Sequence, residues 1–97
     1  MNIRVKDIRL LRMTDNKTTK AFIDLDIEGI LIRDFRIYQT NGKPSVRNPF
    51  ISYRDHQGRL TFREIVTLPA NVEAEAHSMI LSEFFRKSKE AYESHRQ

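Results

Sequence analysis

Ile30-Leu31-Ile32-Arg33-Asp34-Phe35-Arg36-Ile37-Tyr38 decides the fold of this 97-residue chain. Apolar side chains alternate at both of its ends, as in a half-buried strand, but the alternation slips by one residue in the middle. Ile30 and Ile32 hand over to Phe35 and Ile37. The N-terminus repeats the pattern: Val5-Lys6-Asp7-Ile8-Arg9-Leu10 has the chemistry of Ile32-Arg33-Asp34-Phe35-Arg36-Ile37, and Ile3 and Val5 hand over to Ile8 and Leu10. In a regular strand such a slip would turn the second half of the apolar set toward solvent. A bulge absorbs the extra residue and keeps both halves on one face, so the sequence predicts bulges near Lys6-Asp7 and Arg33-Asp34. Two roles are open for them. Either they curve the sheet over its core, with each Asp paired to a neighbouring Arg, or they aim Arg9 and Arg36 at a ligand.

Working outward, a first strand is expected from about Ile3 to Met13, followed by a turn at Asp15-Asn16-Lys17. A second, about Lys20 to Ile27, sets Ala21, Ile23, Leu25 and Ile27 on one face and Phe22, Asp24 and Asp26 on the other. Glu28-Gly29 and Asn41-Gly42 read as two-residue hairpin links around the strand quoted above. Pro44 and Pro49 remove two ladder donors from a fourth strand, about Ser45 to Arg54, which should therefore be an edge, bulged or irregular strand. Asp55-His56-Gln57-Gly58 turns the chain into a fifth strand, about Leu60 to Thr67. Short connections argue for an antiparallel meander without βαβ crossovers.

From Pro69 the period becomes helical. Asn71 is the expected N-cap, with Glu73 and Glu75 near the positive end of the helix dipole. Val72, Ala76, Ile80 and Phe84 form one stripe, which Leu81, Phe85 and Tyr92 widen, with Met79 on the other flank. The expected fold class is therefore α+β in one domain: an antiparallel meander of about five strands with bulges over residues 1–69, and a C-terminal helix over 70–94 packed on or beside it.

Composition narrows the function classes. Without cysteine there is no disulfide framework and no thiol chemistry. The longest apolar runs are three residues, far short of a membrane span, and the N-terminus alternates instead of carrying an apolar leader, so a cytoplasmic protein with no membrane partner is expected. The net charge of +4 is unevenly placed: residues 1–69 hold 13 basic and 8 acidic side chains, residues 70–97 hold 4 and 5. The basic surplus belongs to the sheet region and suits a polyanion.

Catalytic chemistry finds no constellation. His56, His77 and His95 have no metal-ligand spacing, and no metal, cofactor or small-molecule substrate is expected. Asp24 and Asp26 share a strand face and read as cross-strand partners of basic residues on the first or third strand. The serines lack a nucleophile elbow, and Asn41-Gly42-Lys43 leads into a strand instead of a phosphate-binding helix. The arginines of the sheet, among them Arg47 and Arg54, either meet phosphates or solvate an outer face; interleaved Phe22, Tyr38, Phe50, Tyr53 and Phe62 either stack on bases or serve core and dimer contacts. Arg86, Lys87 and Lys89 form a second basic patch, or compensate the helix C-terminus.

With these elements placed, the chain resembles the stage V sporulation protein G (septation regulator) family. The resemblance rests on the two Asp-apolar-Arg strand motifs, Asn41-Gly42, Pro49, Phe62-Arg63-Glu64-Ile65, Leu68-Pro69 and Ile80-Leu81-Ser82-Glu83-Phe84, over about residues 3–86. It implies a small antiparallel sheet with a C-terminal helix, homodimers joined through their sheets, and DNA or RNA binding that regulates gene expression, without enzymatic activity. In that family the helix region carries much of the contact. This chain departs by placing Glu73 and Glu75 early in the helix, Leu68 where the family has His, and Val46-Arg47-Asn48 before Pro49. The leading expectation is a homodimeric nucleic-acid-binding regulator with phosphate contacts from Arg86, Lys87, Lys89, Arg47 and Arg54. The alternative is a protein–protein adaptor on the same dimeric scaffold.

Overall fold

The computed structural model describes residues 1–11 and 18–95, with side chains as far as Tyr92. The fold is α+β, as the sequence predicts, with antiparallel strands and one C-terminal helix. Four strands, β1 (Ile3–Leu10), β2 (Thr19–Ile27), β3 (Ile30–Thr40) and β4 (Lys43–Arg47), form a meander sheet in the order β1-β2-β3-β4. A separate hairpin pairs β5 (Phe50–Arg54) with β6 (Leu60–Glu64), and helix α1 (Ala70–His95) follows. The expected turn at Asp15-Asn16-Lys17 and the expected strand end at Met13 lie outside the described residues.

Both links around β3 are tight turns with left-handed backbone. Glu28 and Gly29 have φ of 53° and 86°, Asn41 and Gly42 of 55° and 84°. Such turns match the twist of the strands they join, which is why Gly stands second in each.

The bulges are where the slipped alternation puts them. Between β1 and β2 the register jumps from Val5↔Leu25 to Asp7↔Asp24, leaving Lys6 as the extra residue. Between β2 and β3 it jumps from Ile23↔Phe35 to Leu25↔Ile32, so Arg33 and Asp34 both face Asp24. The strands on either side of β2 thus each carry an extra residue opposite Asp24, and a further register shift lies between Thr19 and Ala21 of β2. The apolar sets consequently stay on one face, and Ile3, Ala21, Ile23, Leu25, Ile27, Phe35 and Ile37 form the sheet's half of the core.

Helix α1 supplies the other half through Val72, Ala76, Ile80 and Phe84, all buried. It packs on the two outer strands, β4 and β1, so it runs across the sheet. Its first turns meet Asn48 at the end of β4, where Asn48 Nδ2 donates to Glu73 Oε2 at 3.3 Å and His77 Nε2 lies 2.6 Å from Asn48 Oδ1. A carboxylate only accepts, so the amide is oriented by its two partners and His77 Nε2 carries the donated proton. Around Glu83 to Lys87 the helix stands over Val5 to Ile8 of β1. Ten helical residues rise about 15 Å, and three strand spacings span about 14 Å, so the crossing closes. The turns beyond Lys87 overhang the edge strand.

The expected width of the apolar stripe needs correction. Leu81 is half-buried, but Phe85 is 56% exposed and Tyr92 63% exposed, because at 3.6 residues per turn both lie well round the helix from Ala76, Ile80 and Phe84, and Tyr92 also lies past the edge strand. A second correction concerns the helix start. The helix begins at Ala70, and Glu73 N–H donates to Pro69 O at 2.8 Å, so Asn71 lies inside the first turn and is not the cap.

A third correction concerns the strand expected from Ser45 to Arg54, which is two strands. Asn48 and Pro49 interrupt it, both buried, and the chain leaves the meander to build the β5–β6 hairpin. The last strand also ends early, at Glu64 instead of Thr67, where Ile65 N–H donates to Pro49 O at 2.9 Å. The hairpin makes the molecule elongated: its radius of gyration is 14.8 Å, against about 13 Å for a compact chain of this length.

The helix geometry predicts unequal costs along α1. Ile80→Ala should lower the unfolding free energy by about 3 kcal/mol, because it empties a fully enclosed core position. Phe85→Ala should change it by less than about 0.5 kcal/mol. Urea denaturation followed by circular dichroism measures both.

Candidate functional site

The face of the sheet opposite α1 divides into two electrostatic halves. In the first, Arg9 gathers three carboxylates. Its Nη1 donates to Asp7 Oδ2 at 2.7 Å and Asp24 Oδ2 at 2.9 Å; its Nη2 donates to Asp24 Oδ1 and Asp34 Oδ1, both at 3.2 Å. Asp24 is the buried member, 8% exposed, and also accepts the Asp34 N–H at 3.1 Å. The two bulges bring this about, since Asp7 and Asp34 reach Asp24 only because an extra residue precedes each of them in the ladder. Asp34 holds a left-handed φ of 69°, unusual for a residue other than Gly, Asn or Asp.

The Arg9 guanidinium, foremost, and then the Asp34 N–H hold the Asp24 carboxyl below the usual carboxylate range, against the opposing effect of burial. Arg9 is raised correspondingly. Of the two roles open for the bulges, Arg9 takes the structural one. Asp26 pairs with Arg4 at 3.6 Å, so both strand-two carboxylates are cross-strand partners of basic residues, as expected.

The second half lies over β3 and β4. Arg36 and Arg47 stand directly opposite each other, next to the pairs Tyr38↔Ser45 and Thr40↔Lys43. The buried Ile37 between them points to the core, so Arg36, Tyr38, Ser45 and Arg47 face away from the helix. The Arg36 guanidinium is sandwiched between the Phe22 ring at 5.1 Å and the Phe50 ring at 4.3 Å. Its Nε is buried without a hydrogen-bond partner. Phe50 belongs to the hairpin and packs edge-on against Phe62 at 5.8 Å. Arg36 therefore serves as the pin between the meander and the hairpin. The Arg47 guanidinium lies 5.9 Å from the Tyr38 ring, at the outer limit of a cation–π contact.

The candidate phosphate-binding residues are not assembled into one patch. Arg47 lies on the outer sheet face. Arg54 is at the far end of β5, donating to Gly58 O at 2.8 Å across the turn. That turn is organised by Asp55, whose Oδ1 accepts the Gln57 and Arg59 N–H groups and whose Oδ2 pairs with Arg59 at 3.2 Å. Arg86, Lys87 and Lys89 lie on α1, across the core from Arg47. Arg86 pairs with Glu83 and, at 2.6 Å, with Glu90, and Lys87 lies 3.7 Å from Glu90. Arg86 holds the Glu83 carboxyl below its usual range. Lys89 is exposed, with no ion pair among the described residues. Within the described residues Lys6, Lys20, Arg33, Lys43, Arg47, Arg54 and Arg63 likewise have no carboxylate at ion-pair distance.

The Arg36 sandwich and the Asn48–Glu73–His77 group escaped the sequence reading. Asn48-Pro49 is a turn signal that foreshadows the strand break; no local pattern places Phe50 over Arg36, because the two residues belong to different sheets. Among the described residues no group of three or more His, Asp or Glu has metal-holding geometry, and no helix is long and apolar enough to cross a membrane. No protein-family model and no curated protein matches this chain.

The Asp24 geometry fixes a pH dependence. A carboxyl depressed in the folded state adds stability above the unfolded value of about 3.9, and that stability is lost as the pH falls through the folded value. Urea midpoints should therefore drop on going from neutral pH to below pH ~4. In Asp24→Asn the neutral-pH stability should be lower by roughly 2 kcal/mol and the acid-induced loss correspondingly smaller.

Proposed function

We propose that this chain is a homodimeric nucleic-acid-binding regulator of gene expression, binding DNA or RNA, of the kind its resemblance to the septation regulators implies. The observation that carries the reading is the distribution of unpaired charge. The carboxylates of the sheet are largely consumed by Arg4, Arg9 and Arg59, whereas Lys43, Arg47, Arg54 and Arg63 are left without ion pairs among the described residues. A surface of cations with no internal counter-charge attracts a polyanion, and its counterions are released on binding.

The β5–β6 hairpin supports the dimer. Ile51, Tyr53, Leu60, Phe62 and Ile65 are all exposed, Phe62 by 60%, on a two-stranded sheet with both edges open. Two strands alone are marginal in water, and open apolar edges invite pairing. A second copy covering this hairpin through its strand edges accounts for both features. The same hairpin favours a second reading, a protein–protein adaptor, and so does the internal pairing of Arg86 and Lys87 on the helix.

Fluorescence anisotropy against duplex DNA, single-stranded DNA and RNA across a salt series tests the function. The expected result is binding whose log affinity falls linearly with log salt, with a slope of about 0.7 per phosphate contact on single strands and about 0.9 on duplex. No binding at low salt overturns the reading in favour of the adaptor. Light scattering tests the dimer: the wild type should have twice the monomer mass at micromolar concentration, and Leu60→Glu should be monomeric and folded. A monomeric wild type refutes the dimer.

A further inference from the structure

We infer that the outer face of β3 and β4 is a docking site for single-stranded nucleic acid, with an unpaired base stacked on Tyr38 and flanking phosphates held by Arg47 and Lys43. This rests on the nucleic-acid reading above and assigns it a surface and a strand state.

The first support is a cost the fold carries without internal compensation. Arg36 and Arg47 are a directly opposed cross-strand pair, and like charges in that arrangement destabilise a sheet. Elsewhere on the same face the chain neutralises such charge thoroughly, placing three carboxylates around Arg9. Toward the β3–β4 turn the pair's neighbours are Tyr38, Thr40, Lys43 and Ser45, none of them acidic, and on the other side the nearest carboxylate on β3, Asp34, is held by Arg9. Rings alone attend the two guanidinium groups: Phe22 and Phe50 around Arg36, Tyr38 beside Arg47. An anion between β3 and β4 would relieve the repulsion, and Arg47 and Lys43, both exposed, are free to contact it.

The second support is spacing. Lys43 and Arg47 are four residues apart on one side of β4, about 13 Å at strand rise. Tyr38 lies between them, opposite Ser45. A base resting on the Tyr38 ring would therefore send one neighbouring phosphate toward each cation. In a duplex the faces of the bases are stacked on one another, so a half-buried ring on a sheet face reaches only an unpaired base. The pattern of ring and flanking cations favours a single strand over a duplex, and over an anionic partner without bases.

The helix patch offers the competing location. There Arg86 and Lys87 already have carboxylate partners on the same helix, which a phosphate would have to displace.

The test uses the full chain and a short fluorescein-labelled oligothymidylate, with the same label on a duplex of equal length. The oligothymidylate should bind more tightly. Tyr38→Ala should weaken its binding roughly tenfold, and Tyr38→Phe, which keeps the ring, should bind like the wild type. Arg47→Glu and Lys43→Glu should each weaken binding and reduce the salt slope by about 0.7. Circular dichroism establishes that each variant is folded. If Tyr38→Ala and Arg47→Glu bind as tightly as the wild type while an Arg86→Glu, Lys87→Glu, Lys89→Glu triple variant does not bind, this face is refuted and the proposed function stands. A tighter complex with the duplex refutes the stacking assignment. Absence of binding to every probe at low salt overturns both the face and the function it rests on.

Discussion

The fold depends on Arg9 holding Asp24 from across the β1–β2 ladder. Asp24 sits in the middle of the central strand, and both neighbouring strands carry their extra residue opposite it. Each bulge has a local cost. Lys6 is left out of the ladder, and Asp34 takes a left-handed backbone that an L-residue adopts at about 1 kcal/mol or more. The charge cluster offsets these costs, because Asp7 and Asp34 close on the guanidinium that grips Asp24, and the strained Asp34 N–H also donates to Asp24. Loss of the cluster would leave Asp24 buried without its cation. The apolar register on either side, which gives α1 a continuous surface to cover, depends on the same point.

Charge is then sorted over the outer face. In the β1–β2–β3 half the carboxylates gather on Arg4 and Arg9, leaving Lys6, Lys20 and Arg33 without ion pairs among the described residues, and the β3–β4 half keeps its cations beside rings. Arg36 stands at the boundary, since Phe22 comes from the meander and Phe50 from the hairpin. The same residue that adds positive potential beside Arg47 also fixes how the hairpin departs from the sheet. The charge of the outer face and the placement of the hairpin are coupled through one side chain.

Much of this was legible in the sequence because it follows from local periodicity. The slipped alternation at Val5–Leu10 and Ile32–Ile37 located the bulges at Lys6 and Arg33-Asp34, though not the register shift at Lys20; Glu28-Gly29 and Asn41-Gly42 located both tight turns, and Val72, Ala76, Ile80 and Phe84 identified the buried stripe of the helix. What escaped was set by distance in space. Phe85 widens the helical stripe on paper but stays exposed on its outer flank, and sequence period does not say how far round the helix the sheet reaches. Pro49 signalled an irregular strand without saying that Phe50 begins a different sheet. The candidate site was legible as residue types and not as a surface: Arg47 and Lys87 look alike in composition, yet among the described residues the first has no carboxylate at ion-pair distance and the second lies 3.7 Å from Glu90.

The paired bulges bear on how this sequence can change over generations. Lys6 is exposed and makes no ion pair among the described residues, so many side chains would serve in its place. Its removal would keep the faces as well: without it Ile3, Val5, Ile8 and Leu10 alternate regularly and retain Ile27, Leu25, Ile23 and Ala21 as partners. What a shorter chain would give up is the local bend and added twist of the bulged strand. Lys6 is thus dispensable for the register of β1 and not for its curvature.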